Sequence, residues 1–153
     1  MKPLKVGEIA PPFTVNDHLG NPQSLKNHKG SRVVIFFYPK ADTPGCTAEA
    51  CDLRDHYKEL NEAGYILFGV SADTELKQKK FADKFNLPFP LLADTERTIL
   101  NSFGVWGPKK FMGKEYDGIH RMTFIINEDG VIEHVIDKVK TKTHAEQVLE
   151  IEA

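Results

Sequence analysis

Runs of apolar residues divide the chain into alternating strands and helices. The longest run, residues 33–38, is rich in β-branched and aromatic residues and is too short for a membrane span, so it predicts a buried strand. A second run at 65–71 predicts another buried strand. The later segments predict, in order, a helix from residue 73 or 74 through 85, an edge strand at 91–93, a short helix around 99–103, a hairpin of strands at 121–126 and 131–136, and a closing helix with a Thr143–Glu146 capping box.

The segment between the first two strands predicts a helix that begins with a reactive position. Thr43 suits the N-cap, Pro44 suits the first helical residue, and apolar residues then recur at 3-4-3 spacing up to Leu60. Gly64 follows as a stop signal, so we expect a helix over about residues 44–60. Cys46 becomes its third residue, where free backbone N–H groups and the positive end of the helix dipole favour a thiolate over a thiol.

The only two cysteines of the chain, Cys46 and Cys51, lie five residues apart. On an intact helix this spacing leaves about 8.7 Å between the two Cα atoms, which exceeds the roughly 4.4–6.8 Å that a disulfide requires. A bond between them therefore requires the first turns of the helix to unwind. Inert buried thiols and a structural disulfide remain alternatives, but the position of Cys46 favours redox catalysis.

Composition and charge describe an ordinary globular protein. With 153 residues, 41% of them hydrophobic and 27% charged, the chain has the size of a single domain over residues 1–153. The net charge of −2 offers no basic surface for nucleic acid or anionic lipid. Neither a signal peptide nor a membrane-spanning segment is visible, and two cysteines without a secretory signal indicate a cytoplasmic location.

The histidines show no metal-ligand spacing with the cysteines, and the chain has no glycine-rich phosphate loop. We therefore expect neither a metal nor a flavin, haem or nicotinamide cofactor.

The order of elements indicates an α/β fold of the thioredoxin type. Strands that alternate with helices of 10–15 residues are typical of parallel βαβ units, and an antiparallel hairpin and a closing helix follow them here. Residues 13–15 and 23–25 flank a turn-rich segment and predict an additional N-terminal β-hairpin. We expect a mixed central sheet flanked by helices, with this hairpin as an N-terminal extension.

The residues around Cys46 resemble the active-site signature of the peroxiredoxins. Pro39, Thr43 and Cys46 stand in the pattern Pro-x-x-x-Thr-x-x-Cys, and Arg121 resembles the arginine that completes the signature. The fuller string over residues 37–51, including the second cysteine, resembles the bacterioferritin-comigratory-protein, or peroxiredoxin Q, subgroup. The likeness covers nearly the whole chain.

The resemblance implies a role for each of these residues. Cys46 is the peroxidatic nucleophile that becomes a sulfenic acid, and Cys51 resolves it as an intramolecular disulfide. The Thr43 hydroxyl donates to the thiolate or to the peroxide, and Pro39 shields the thiolate and shapes the entrance. Arg121 stabilises the thiolate and the peroxide oxygens by charge-assisted hydrogen bonds.

The resemblance also implies the partners. The substrates are hydrogen peroxide and organic hydroperoxides, the reductant is thioredoxin with glutaredoxin as the alternative, and the expected state is a monomer that serves in antioxidant defence. A non-catalytic redox sensor or holdase on the same fold is the competing hypothesis. A disulfide oxidoreductase is disfavoured because the pair is C-x4-C and the C-x-x-C of thioredoxin is missing.

Overall fold

A five-stranded sheet forms the centre of the molecule in residues 1–151, which the computed structural model describes. In chain order the elements are β1 (Thr14–Asn16), β2 (Pro22–Ser24), β3 (Arg32–Phe37), α1 (Pro44–Asp55), α2 (Tyr57–Glu62), β4 (Tyr65–Ser71), α3 (Glu75–Phe85), β5 (Leu91–Ala93), α4 (Thr98–Ser102), β6 (Trp106–Phe111), β7 (Lys114–Ile119), β8 (Met122–Ile126), β9 (Ile132–Ile136) and α5 (His144–Glu150). Residues 152 and 153, which the predicted single domain includes, lie outside the described part.

The central sheet is mixed, as predicted. Its strand order is β5-β4-β3-β8-β9, in which β3, β4 and β5 are parallel while β8 and β9 run antiparallel to their neighbours. The short strand β5 lies at one edge, and β1 and β2 form the predicted N-terminal hairpin outside this sheet. The turn at residues 127–130 joins β8 to β9, as the sequence indicated.

Successive residues of β3 face opposite sides of the sheet, and both sides are buried. One side packs against the N-terminal segment and α4, whereas the other packs against α1, α2, α3 and α5. Burial on both faces explains why the strand is a continuous apolar run with no polar alternation. The helix that carries Cys46 therefore lies against the centre of the sheet.

The prediction of a single helix over residues 44–60 is wrong, because this segment forms two helices, α1 and α2, that are separated at His56. The backbone of His56 leaves the helical region, with φ −110° and ψ 15°. The Asp52 carbonyl accepts the His56 backbone N–H at 3.2 Å and also contacts the His56 ring Nδ1 at 2.9 Å. A side chain that competes with the backbone for the same carbonyl weakens the helix locally. The reactive N-terminal turns and the end of the segment thus belong to different helices.

The capping box predicted for the last helix is not formed. Thr143 occupies the N-cap of α5, but its side chain makes no capping hydrogen bond. The Ala145 backbone N–H instead donates to Asp52 Oδ2 on α1, at 2.8 Å. A carboxylate from another element therefore satisfies one of the free backbone amides in the first turn of α5. This contact ties α5 to the helix that carries both cysteines.

The hairpin of β6 and β7 is absent from the sequence prediction. Its turn has Met112 and Gly113 at φ values of 51° and 81°, the conformation that tight hairpin turns require. Most of its side chains are exposed or half-buried, so no apolar alternation marks the strands. The hairpin lies directly before β8 in the chain and brings β7 next to the segment that contains Arg121.

Candidate active site

Cys46 lies in the first turn of α1, at the carboxyl end of the central strand β3. Thr43 occupies the N-cap with an extended backbone and Pro44 is the first helical residue, as predicted. The side chain of Cys46 is buried among residues of β3 and β8, and the residue is only 2% exposed. The thiol therefore combines the helix N-terminus with an almost water-free environment, which strengthens any electrostatic interaction it makes.

Arg121 contacts Cys46 directly. Strand register explains the contact: Met122 pairs with Phe37, so the preceding Arg121 lies beside the end of β3, from which α1 begins. Its Nη2 donates to Cys46 Sγ at 3.3 Å, and its side chain is 22% exposed. A guanidinium in this position stabilises a thiolate by a charge-assisted hydrogen bond.

Gly45 leaves room for the guanidinium. A Cβ atom at this position would lie 3.1 Å from Arg121 Nη2, which is closer than ordinary van der Waals contact. A glycine such as Gly45 weakens the first turn of a helix. The structure adds that a side chain there would displace the arginine, so an alanine variant would alter both the helix and the site.

Glu49 is a site residue that sequence reasoning missed. Its Oε1 accepts from Arg121 Nη1 at 2.7 Å, and its side chain is fully buried. Burial raises the pKa of Glu49 to about 7, and the neighbouring Arg121 guanidinium opposes this rise. The signal was present, because Glu49 follows Cys46 by three residues and precedes Leu53 by four, on the same inward stripe of the helix. Arg121 thus forms a bridge between a carboxyl group and the thiol.

The Thr43 hydroxyl engages the backbone of its own loop. Its Oγ1 donates to the Lys40 carbonyl at 2.7 Å, and it makes no side-chain cap to the helix. The capping role weighed for Thr43 is therefore wrong for its side chain. Because the hydroxyl has one proton, donation to a thiolate or peroxide requires this bond to exchange.

A buried polar network holds the loop between β3 and α1. Tyr38 donates its hydroxyl to Gln78 Oε1, and Gln78 Nε2 donates to Ser71 Oγ at 2.9 Å. Ser71 in turn donates to Asp73 Oδ2 at 2.7 Å, and the same oxygen accepts the Ala41 backbone N–H at 2.8 Å. The loop that carries the predicted proline and threonine is thereby fixed to the end of β4.

Pro39 lines a groove of about 410 Å³ beside this loop. The β6–β7 hairpin supplies most of the other wall, with Trp106, Lys109, Tyr116 and Ile119 among its lining residues. Lys109 Nζ donates to the Ile119 carbonyl at 2.8 Å. Burial and the Arg121 charge lower the pKa of Lys109, while the charge of Cys46 opposes the shift, so this ammonium lies in the field of the site.

Cys51 and Cys46 are both free thiols, and α1 is intact across the two positions. Cys51 is half-buried and lies off the inward stripe, as the helical spacing predicted. Burial raises the pKa of Cys51, with Arg54 opposing the rise. The second cysteine is thus a protonated thiol outside the pocket of the first in this conformation.

Two further features bear on the kind of protein. In the part of the chain that the structure describes, no group of three or more His, Cys, Asp or Glu side chains is arranged to hold a metal ion. Over the same residues, every helix is too short or too polar to cross a membrane. The reactive groups are therefore a nucleophilic thiol, an adjacent cation and a buried carboxyl group.

The buried carboxyl group predicts a pH dependence of stability. The pKa of Glu49 is raised from 4.5 to about 7, so the folded state binds the proton more tightly than the unfolded state. This contribution is present below the unfolded pKa and is lost as the pH rises through the folded one. Glu49→Gln removes the titration, so its free energy of unfolding relative to wild type should increase by on the order of 2 kcal/mol from about pH 5 to about pH 8.

Denaturant titration of the reduced proteins measures this difference. Glu62→Gln is the matched control, because Glu62 is exposed on α2 and should show no such change. Equal pH dependence in wild type and Glu49→Gln would contradict the raised pKa.

A cysteine at a helix N-terminus whose sulfur accepts a hydrogen bond from an arginine, on a thioredoxin-like sheet, is the arrangement that a thiol-dependent peroxidase requires. The model of the AhpC/TSA family matches residues 6–135, so the chain belongs to that family, the peroxiredoxins. It is 51% identical to peroxiredoxin Bcp of Escherichia coli K12 over 149 residues, which cover 97% of this chain and 96% of the relative. The chain is therefore a peroxiredoxin-type thiol peroxidase that reduces peroxides.

Solved structures support the same fold and family. A bacterioferritin comigratory protein from Xanthomonas campestris, studied for its alkyl peroxide reduction, is 34% identical, with a TM-score of 0.86 and coverage of 91% of this chain and 88% of that one. Peroxidoxin BcpB from Mycobacterium tuberculosis is 36% identical, with a TM-score of 0.84 and coverage of 96% and 95%. These likenesses confirm the predicted thioredoxin-like fold and the peroxiredoxin Q resemblance.

Proposed function

We propose that Cys46 is the peroxidatic residue of this thiol peroxidase. The observation that carries the proposal is the 3.3 Å contact between Arg121 Nη2 and Cys46 Sγ in the first turn of α1. The thiolate attacks one oxygen of the hydroperoxide, so that an S–O bond forms while the O–O bond breaks. The leaving oxygen takes up a proton and departs as water or an alcohol, and Cys46 becomes a sulfenic acid.

Arg121, Thr43 and Pro39 assist this step in different ways. Arg121 has hydrogen-bond donors beyond those used for Cys46 and Glu49, so it can stabilise the peroxide oxygens as charge develops on them. Thr43 exchanges its bond to the Lys40 carbonyl for one to the bound peroxide. Pro39 borders the adjacent groove and has no backbone N–H that would draw water to the thiolate.

We infer that Cys51 resolves the sulfenic acid within the same chain. Its sulfur attacks the sulfur of Cys46, an S–S bond forms, and water leaves. Because the two residues are five apart on α1, the first turns of this helix must unwind before the bond can form. The free thiols on an intact helix correspond to the reduced start of this cycle.

Oxidation is therefore expected to lower protection from hydrogen exchange at residues 46–54 by about tenfold or more. The effect should extend to α5, because Asp52 on α1 accepts the Ala145 N–H. Exchange measured by mass spectrometry on the reduced and oxidised proteins tests this, with the buried strand β4 as the internal control. Equal protection in both states would contradict unwinding and require Cys51 to act across a dimer.

The substrate and the reductant are tested together in one assay. We propose hydrogen peroxide and organic hydroperoxides as substrates, since the related Xanthomonas campestris protein is described as reducing alkyl peroxides. Peroxide consumption is followed with thioredoxin, thioredoxin reductase and NADPH, and in parallel with glutathione and glutaredoxin. Faster turnover with thioredoxin is expected. Consumption that stops at one peroxide per chain in both systems would indicate a redox sensor.

We further propose that the chain acts as a single domain and a monomer in the cytoplasm. Both hydrophobic clusters pack on the same sheet, which supports one folding unit. Both cysteines lie on α1 of one chain, so resolution requires no second copy. A cycle that ends on reduction by a dithiol protein suits a reducing compartment.

A further inference from the structure

Behind Arg121, a histidine of the last helix faces the carboxyl group of Glu49. His144 is fully buried at the start of α5, and its Nε2 lies 3.5 Å from Glu49 Oε2 and 2.8 Å from Thr123 Oγ1. Glu49 Oε1 is already bonded to Arg121, whereas Oε2 has no hydrogen-bond partner among the described residues. An ionised carboxylate oxygen without a hydrogen-bond donor costs free energy in a buried site, and this cost favours the protonated form of Glu49.

Gln147 determines which nitrogen of the His144 ring carries a proton. Its Nε2 donates to the Lys138 carbonyl at 3.0 Å, and its Oε1 accepts the Lys140 backbone N–H at 2.8 Å, so the amide orientation is fixed. The same Oε1 lies 2.8 Å from His144 Nδ1, which must therefore be the donor. A neutral His144 then has a bare Nε2, which is an acceptor.

Two acceptors would then face each other if Glu49 were ionised. Neither Nε2 of His144, which has no proton, nor a carboxylate Oε2 can donate, so the ionised oxygen would stay unsatisfied. The single lone pair of Nε2 accepts the Thr123 hydroxyl at 2.8 Å, so this hydroxyl has no proton left for Glu49. A proton on Glu49 Oε2 removes the buried negative charge that neither neighbour would satisfy.

We propose that His144 is a positioning residue of the peroxidatic site: its Nε2, which has no proton to donate, keeps Glu49 neutral, and this leaves the positive charge of Arg121 uncompensated beside Cys46. The inference rests on the proposed role of Cys46 and Arg121 and extends it to the last helix. With Glu49 ionised, the ion pair would offset the charge of Arg121. With Glu49 protonated, the carbonyl Oε1 still orients the guanidinium while its charge acts on the thiol.

The charged groups around the pair agree with this arrangement. Glu49 is faced by Arg121 and His144, and His144 by Arg121 and by Asp52 on α1. Burial raises the pKa of Glu49 and lowers the pKa of His144, and the Arg121 charge opposes the first shift and supports the second. Both shifts favour the state in which neither partner is charged.

Infrared difference spectroscopy of the reduced protein tests the proton directly. Wild type should show the carbonyl stretch of a buried protonated carboxylic acid below neutral pH, and Glu49→Gln should lack it. In His144→Gln the band should disappear about one pH unit lower, because the introduced amide can donate to the carboxylate and favours its ionised form. His134→Gln is the matched control, because this half-exposed histidine on β9 lies outside the network.

The rate of the reduced enzyme with hydrogen peroxide provides the second readout. In wild type the rate constant should decline on the alkaline side as Glu49 loses its proton. His144→Gln should move the midpoint of this decline down by about one pH unit. Glu49→Gln should lack the decline, and adding His144→Gln to it should change nothing further. A wild-type band that Glu49→Gln does not remove, or a His144→Gln profile identical to wild type, overturns the proposal.

The two readouts separate this inference from the proposed function. The infrared band requires no turnover, so its absence would reject the neutral Glu49 even in an active enzyme. A protein that shows the band but retains full peroxidase activity after loss of Cys46 would reject the proposed chemistry and leave the proton assignment intact.

Discussion

Replacement of Cys46 by serine is expected to abolish peroxide turnover. A serine hydroxyl is not ionised at neutral pH, and it cannot form the sulfenic acid on which the cycle depends. Cys51 cannot substitute for it, because that thiol lies away from Arg121 and burial raises its pKa. Consumption of peroxide with the thioredoxin system, measured by NADPH oxidation, should fall to the level of the assay without enzyme.

Cys51→Ser is the control that separates the two sulfurs. This variant should still react with one peroxide per chain and then accumulate the Cys46 sulfenic acid, which a sulfenic-acid reagent and mass spectrometry detect. Residual turnover above a few per cent of wild type in Cys46→Ser would move the nucleophile to another residue.

Replacement of Arg121 by alanine is expected to slow the first chemical step by about 10–100-fold, since a hydrogen bond to a charged group contributes roughly 1.5–3 kcal/mol. The variant loses the 3.3 Å contact to Cys46 Sγ and the donors available to the peroxide. Glu49 would lose its partner as well, but it can remain folded inside as a neutral acid. Stopped-flow reaction of the reduced protein with peroxide measures the rate.

The Arg121→Lys variant accompanies this measurement. Its rate should fall between those of wild type and Arg121→Ala, because one ammonium cannot bond both Glu49 and Cys46 as the guanidinium fork does. An unchanged rate in Arg121→Ala would remove this residue from the site.

Elements defined by local pattern could be predicted from the sequence. The apolar runs of β3 and β4 reflect burial on both faces of a sheet, and Thr43 and Pro44 mark a helix start through their own backbone preferences. The same local pattern put Cys46 in the first turn of a helix before any contact was known. The turn between β8 and β9 was likewise visible in its Asn, Asp and Gly residues.

Features that depend on competing partners could not be predicted in this way. The helix was expected to continue to Leu60, but the His56 ring contacts the carbonyl that its own backbone N–H uses. Thr143 was expected to cap α5, but Asp52 on another helix takes the amide of Ala145. In the first place a side chain shares the carbonyl that the helical bond uses, and in the second a carboxylate from a distant segment binds a free amide of the first turn. Local propensity describes neither contact.

The sequence by itself determined the thioredoxin-like order of elements, the helix-terminal position of Cys46 and the offset of Cys51 from it, because these follow from backbone preferences and helical periodicity. Only the tertiary structure decided which groups surround the thiol. Strand register brings Arg121 to the end of β3, and the docking of α5 sets His144 against Glu49. Arg121 and Glu49 alone are 72 residues apart in the chain. Such contacts form because buried charges and polar groups must find partners inside the fold, and that requirement leaves no periodic mark along the chain.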